Sequence, residues 1–233
     1  MRTSLLVSGV VLLALAGAAA GYYGGDKYTG STTVYETGPA LPLTGSPTDP
    51  PLPKKTPEPY PLTPLAADEL KFHAQSFTIR DDSGAQLPLS ISVPRGWRLT
   101  RDPKTPREVR FLDPRKERAV RVESALPPPE LSTTDSMNQL VANLKSSQPY
   151  ENDLRILSQT DEQIEAKGET RTVSTLIYTY IPKRTVRYVI VRWVATGGED
   201  IATVEMSITG LPQDAAGLQA VLLEASRSVR ETG

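Results

Sequence analysis

An α+β domain is what the sequence predicts: an antiparallel sheet of about six to eight strands packed with two main α-helices, behind an N-terminal hydrophobic helix and a proline-rich linker. Three observations lead there. Beyond residue 67, apolar residues recur at every second position in run after run, with short turns between. Only two stretches switch to helical spacing, and strands and helices never alternate as the βαβ units of a parallel sheet. The first 67 residues obey neither period, and proline marks the division: ten of the chain's 21 prolines fall between Pro39 and Pro64.

The opening run, "MRTSLLVSGVVLLALAGAAAGYYGGD", carries Arg2 and then no charged side chain before Asp26. Ser4 to Tyr23 as a helix spans about 30 Å, the thickness of a bilayer's hydrocarbon core, with Tyr22 and Tyr23 where interfacial aromatics stand. Residues 1–25 are therefore expected to be a single membrane anchor. Ala16-Gly17-Ala18 and Ala18-Ala19-Ala20 keep a cleaved signal peptide open as the alternative, in which case the protein is secreted. With Arg2 held inside, both readings put the rest of the chain outside the cytoplasm. Leu15-Ala16-Gly17-Ala18 has the form of a lipobox with alanine in place of cysteine, so no lipid can be attached there.

Residues 26–67 read as a disordered spacer. Proline at nearly every second or third place favours polyproline II, and there is too little large apolar side chain for a core. Fully extended, Pro39 to Pro64 reaches roughly 80 Å. Thr44, Thr48, Thr56 and Thr63 are candidate O-glycosylation positions.

Residues 68–233 form the predicted domain. "SFTIRD" and "LPLSISV" flank the turn Asp82-Ser83-Gly84; "EVRFLD" and "AVRVES" flank Pro114-Arg115-Lys116-Glu117, and both pairs read as hairpins. "STTDSMNQLVANLKSSQ" is a helix, capped by Ser132 or Thr133, with Met137, Leu140, Val141 and Leu144 on one face. Four strands follow, "LRILSQTDEQIEA", "ETRTVSTLIYTYI", "TVRYVIVRWVAT" and "DIATVEMSIT", whose short turns make them antiparallel neighbours. "PQDAAGLQAVLLEASRSVR" closes the chain as a helix with Leu218, Val221, Leu222, Ala225 and Val229 inward.

The composition excludes more chemistry than it suggests. With no cysteine and one histidine there is no disulfide, no thiol nucleophile and no paired-imidazole zinc site; His73 reads as an ordinary surface or edge residue. Nucleophile elbow, Walker loop, H-E-x-x-H, G-x-G-x-x-G and S-x-x-K motifs are all missing. Asp81-Asp82, Asp161-Glu162 and Glu199-Asp200 read as solvated turn or strand-end pairs, and the chain is expected to be no enzyme, without cofactor or metal. A net charge of −1 argues against nucleic acid as a partner.

Charge is nevertheless segregated. Arg95 to Arg121 holds ten bases against four acids, a local +6, and Val122 to Pro182 holds nine acids against four bases, a local −5. Within the basic stretch Arg95, Arg98, Arg101, Lys104 and Arg107 are the candidate partner-binding residues, because arginine binds carboxylates bidentately. An alternative site is a cleft between sheet and helix lined by Tyr178, Tyr180, Tyr188 and Trp193, which suits a lipid or glycan of the envelope. A buried, perturbed carboxylate pair is the feature that a hydrolase would require.

A strand ending in Pro94-Arg95-Gly96-Trp97, the "EVRFLDP" hairpin, a capped helix, a meander rich in tyrosine and tryptophan, and a last helix ending in Ser228-Val229-Arg230 together resemble the PsbP-like fold family, nearest to actinobacterial Lpq-type secreted lipoproteins, though without the lipobox cysteine. That resemblance implies a non-enzymatic binding or assembly module over residues 72–230. It also implies that Trp97 is a core residue at a sheet corner. The expectation is a membrane-tethered, extracytoplasmic module of the bacterial cell envelope that docks a protein partner.

Overall fold

In the computed structural model, described over residues 52–81, 83–124 and 130–232, the chain forms ten strands in two antiparallel sheets. The expected anchor at 1–25 and most of the spacer lie outside the described residues. Strands β1 (Phe72–Arg80), β2 (Gln86–Pro94) and β10 (Arg230–Glu231) form a three-stranded sheet in the order β1-β2-β10. The larger sheet takes β3 (Arg98–Thr100), β4 (Glu108–Leu112), β5 (Ala119–Glu123), β6 (Arg155–Ala166), β7 (Glu169–Tyr180), β8 (Arg187–Val194) and β9 (Val204–Gly210), in the order β3-β4-β5-β9-β8-β7-β6. The α+β class and both helices stand as expected, and the meander strands are neighbours. Two sheets replace the single one expected, because the chain breaks sheet at Pro94.

That break explains itself locally. Trp97 N–H donates to the Pro94 carbonyl, Gly96 sits at φ +87°, and Trp97 turns inward to 5% exposure. Proline stops the ladder and glycine accepts a backbone angle that a side chain resists, so the next residue can bury a large ring.

Helix α1 (Thr133–Ser147) begins at Ser132, whose hydroxyl accepts from the Asp135 N–H, and packs Met137, Leu140, Val141 and Leu144 on β7 and β8. Helix α2 (Ala215–Ser228) lies on the opposite face, against β2 of the small sheet and β6, β8 and β9 of the large one. Alternation along β8 divides its side chains between two cores. Tyr188, Ile190 and Val194 join Phe111, Met206, Ile208 and Leu218 beneath α2; Val189, Val191 and Trp193 join Leu176, Tyr178 and Tyr180 beneath α1. Phe77 and Phe111 meet edge to face at 5.7 Å and tie the small sheet to the large one. At the end of α2, the Arg171 guanidinium donates to the carbonyls of Ser226 and Val229, which the helix itself leaves without partners.

The last part of the expected spacer, from Lys55 onward, belongs to the domain. Lys55 N–H donates to Glu151 O, and Lys55 Nζ to Asn152 Oδ1 and Pro182 O; Glu58 N–H reaches Arg184 O. Tyr60 Oη donates to Glu117, Gln213 Nε2 to the carbonyls of Tyr60 and Leu62, Arg118 Nη2 to Thr63 O, and Leu65 N–H to Asp214 Oδ1. Leu62 is buried. An extended proline-rich chain makes no internal backbone hydrogen bonds, so its carbonyls and few N–H groups are free to pair with whatever lies beside them. Here residues 55–66 form a strap.

Candidate functional site

Helix α1 covers β7 and β8; farther along the same face, β4, β5 and β9 carry charge instead of apolar side chains. Register brings the charges together: Glu108 faces Glu123, Arg110 faces Arg121, and Glu123 faces Glu205. Arg121 bridges three carboxylates. Its Nη1 lies 3.2 Å from Glu108 Oε2 and 3.3 Å from Glu123 Oε2, and its Nη2 lies 2.6 Å from Glu205 Oε1. Arg110 Nε donates to Glu108 at 2.6 Å, and the Trp193 indole N–H donates to Glu205 at 3.0 Å.

Burial sets the protonation. It pushes the Glu123 carboxyl up to about 7, against Arg121 and with the help of Glu205 and Glu108. It also pushes Glu205 up, against Arg121 and the Trp193 donor. For Arg121, burial works downward and the three glutamates outweigh it, holding the guanidinium charged. Two guanidiniums and three carboxylates leave −1 when all are ionised, and one proton neutralises the set. The network can therefore take up or release a proton near neutral pH.

This is the buried, perturbed carboxylate pair that the sequence did not reveal. Glu108-x-Arg110 and Arg121-x-Glu123 look like the outward faces of two strands, and only the long-range pairing with β9 brings in Glu205. Of the pairs that the sequence did offer, Asp161 accepts from Thr134 and Ser174 beside the start of α1, and Glu162 pairs with Arg192 on the opposite face. Asp200 accepts the Thr133 N–H through its carbonyl. Asp81 caps its own turn, accepting from Ser83 and Ala85. Among the described residues, no group of three or more histidines and carboxylates is set to hold a metal ion.

The five basic candidates lie along one edge of the large sheet. Arg95 is in the turn before β3, Arg98 on β3, and Arg101, Lys104 and Arg107 in the connection to β4. Arg95, Arg98, Arg101 and Lys104 are exposed and Arg107 is half-buried. Arg101 donates to the Thr78 carbonyl, and among the described residues none of the five lies within 4.0 Å of a carboxylate oxygen.

The four aromatics proposed for a cleft do not share one wall. Tyr178, Tyr180 and Trp193 are buried beneath α1, with the two tyrosine rings 6.0 Å apart, whereas Tyr188 is buried on the opposite face beneath α2. The side-chain period of two is the reason: Tyr188 and Trp193 differ by an odd number of residues on one strand. His73 sits on the edge strand β1, with Nδ1 3.2 Å from Val93 O and Nε2 2.6 Å from Gln75.

No protein-family model matches the chain, and no curated protein matches it. Solved structures similar to it include a cyanobacterial PsbP from Synechocystis sp. PCC 6803, 12% identical, covering 68% of this chain and 92% of that one at a TM-score of 0.45. LpqN of Mycobacterium tuberculosis, involved in cell envelope biogenesis, is 13% identical over 69% of this chain and 92% of its own, with a TM-score of 0.42. PA94 of Pseudomonas aeruginosa, a protein of unknown function, is 11% identical over 68% and 98%, with a TM-score of 0.40. These structures include a PsbP and an Lpq-type protein, the groups that the order of elements and the Pro94–Trp97 corner together resemble. Similarity at this level assigns the chain no activity.

Proposed function

We propose that this chain is a non-enzymatic binding module of the cell envelope, tethered outside the cytoplasm by its hydrophobic N-terminal segment and docking an acidic protein partner along the edge formed by β3. The supporting observation is the division of its arginines. Among the described residues, Arg110, Arg118, Arg121, Arg155, Arg171, Arg184, Arg187 and Arg192 are each paired with a carboxylate, whereas Arg95, Arg98 and Arg101, close together on this edge, are not; Arg107 beside them and the separate Arg80, Arg115, Arg227 and Arg230 are likewise without an ion pair. Exposed guanidiniums at and beside an edge strand are accessible to carboxylates from outside, Arg95 and Arg98 with their whole fork and Arg101 with the N–H groups that Thr78 leaves.

The glutamate network fits this reading better than catalysis. Arg121 and Arg110 occupy its carboxylates, so an incoming group would first have to displace a guanidinium. A photo-crosslinking residue at Thr100, exposed on β3, tests the docking site in cells. One dominant protein adduct is expected, weakened at least about tenfold when Arg98, Arg101 and Lys104 are replaced by Ala. An unchanged adduct in that variant, or none in the parent, overturns the assignment.

A further inference from the structure

The register of the large sheet sorts its turns into two ends. Arg98 faces Leu112, Leu112 faces Ala119, Ala119 faces Thr209, Thr209 faces Val189, and Thr179 faces both Tyr188 and Arg155. The turns before β3, between β4 and β5, between β7 and β8, and before β6 therefore lie together at one end. They carry exposed Arg95, Arg115, Lys116, Lys183, Arg184 and Arg155. Acidic residues at this end are largely engaged: Glu58 with Arg184, Asp153 with Arg155, Glu117 with Arg187 and Tyr60, and Asp113 with Arg118. The opposite end carries Glu165 and Glu169 at the strand ends beside Lys167, and Glu199 and Asp200 in the turn before β9; its bases Arg101, Lys104 and Arg107 stand at the β3–β4 corner.

Two further observations select what meets the basic end. Lys55, the first residue of the strap, is pinned to Asn152 and Pro182 at this end, so the chain that leads from the hydrophobic segment joins the domain here. Tyr60 at 42% and Tyr150 at 61% exposure stand beside it, amphipathic rings of the kind found at the headgroup level of membranes. We infer that this end of the domain seats on the anionic surface of a lipid bilayer, through Arg115, Lys116, Lys183 and Arg184 with Tyr60 and Tyr150 between them. Each basic residue near such a surface strengthens binding about fivefold, and tethering supplies the local concentration that makes a modest surface affinity effective. The inference rests on the tethered reading for its orientation alone. It leaves the upper part of the β3 edge, with Arg101, Lys104 and Arg107, clear of the membrane.

The chain has no cysteine, so a single one places a probe. Full-length protein with a fluorophore at Arg115→Cys, or at Glu199→Cys on the opposite end, is reconstituted into vesicles of phosphatidylcholine with or without about 30% phosphatidylglycerol. Quenching by lipid-borne quencher is read beside flotation. The expected result is quenching at position 115 and not at 199, in anionic vesicles only, abolished by 1 M salt while the protein still floats. Lys116→Asn, Lys183→Gln and Arg184→Gln together should remove the quenching, with circular dichroism unchanged. Equal quenching at both positions, or none at 115 on anionic vesicles, overturns the inference. Failure to float in 1 M salt counts against the anchor, while salt-sensitive quenching at 115 still upholds the docking surface. Quenching that survives in neutral vesicles shows a contact that charge does not drive and likewise overturns it.

Discussion

Glu123 shows what burial does to a single side chain. It faces one arginine that two other carboxylates also engage, and it holds its proton to about pH 7. An unfolded chain releases that proton near pH 4.3. Between these values the folded state binds more protons than the unfolded one, so this group makes stability fall as pH rises from about 4.3 to about 7, and contributes no further change above. Glu123→Gln removes the titration while keeping the shape. Urea unfolding at pH 5 and pH 8 should show a smaller loss between the two for the variant, by on the order of 2 kcal/mol, with the variant the more stable protein at pH 8. Parallel pH profiles for the two proteins would place the proton elsewhere. Asp214 has the opposite sign: burial works to raise it and is outweighed by the Arg118 hydrogen bond and the N–H groups of Leu211 and Leu65, which hold it low. Neither role is readable from the residue's neighbours in sequence alone: Arg121 and Leu211 are local, but Glu108 and Glu205 for Glu123, and Arg118 and Leu65 for Asp214, arrive from far along the chain.

Elements with strong periodicity and short turns were legible. The 12 residues of β6 and the 12 of β7 flank the short turn Lys167-Gly168 as a hairpin, although β6 shifts register between Ile156 and Ser158 and β7 is buried on both faces from Val173 to Leu176, and α1 carries both a cap and an apolar stripe. What escaped was too short or held from outside. β3 has three residues and β10 two, below any periodic signal, and β10 exists because β2 offers it Ser90 and Leu89. The strap escaped because composition speaks of internal hydrogen bonding, whereas its order comes from Arg118, Gln213 and Asp214. Of the candidate site, the basic edge could be read from local sequence, whereas the carboxylate network needed the β5–β9 register. One contact makes the dependence of strap on helix testable. A Cβ on Gly217 would stand 2.3 Å from the Leu65 carbonyl oxygen, so Gly217→Ala must push the strap off α2. The helix gains about 1 kcal/mol of propensity while the clash costs about 1–3 kcal/mol. Hydrogen exchange should therefore accelerate at the Leu65 amide, by roughly tenfold, while amides within α2 keep their protection. Uniform acceleration through α2 would mean that the helix yields before the strap does.

For the domain as a whole, the strap moves the functional boundary from about residue 68 to Lys55. A chain beginning at Asp68 loses the burial of Leu62 and the bonds from Arg118 to Thr63 and from Leu65 to Asp214. Compared with a chain beginning at Lys55, it should be less stable by about 3 kcal/mol, seen as a midpoint roughly 6–12 °C lower in calorimetry. Equal midpoints would reduce the strap to decoration. The order of its contacts also has a mechanical meaning. Lys55, Glu58, Tyr60, Leu62, Thr63 and Leu65 are fastened in sequence from the outermost residue inward, so tension applied through the preceding chain loads them one after another, as in a zipper, and never all at once. Each release lengthens the lead by a few ångströms and about 34 Å is available from residues 55–65. A pull from the N-terminal side thus pays out slack at low force before it reaches either sheet, and the domain can ride on a moving surface without being unravelled by it.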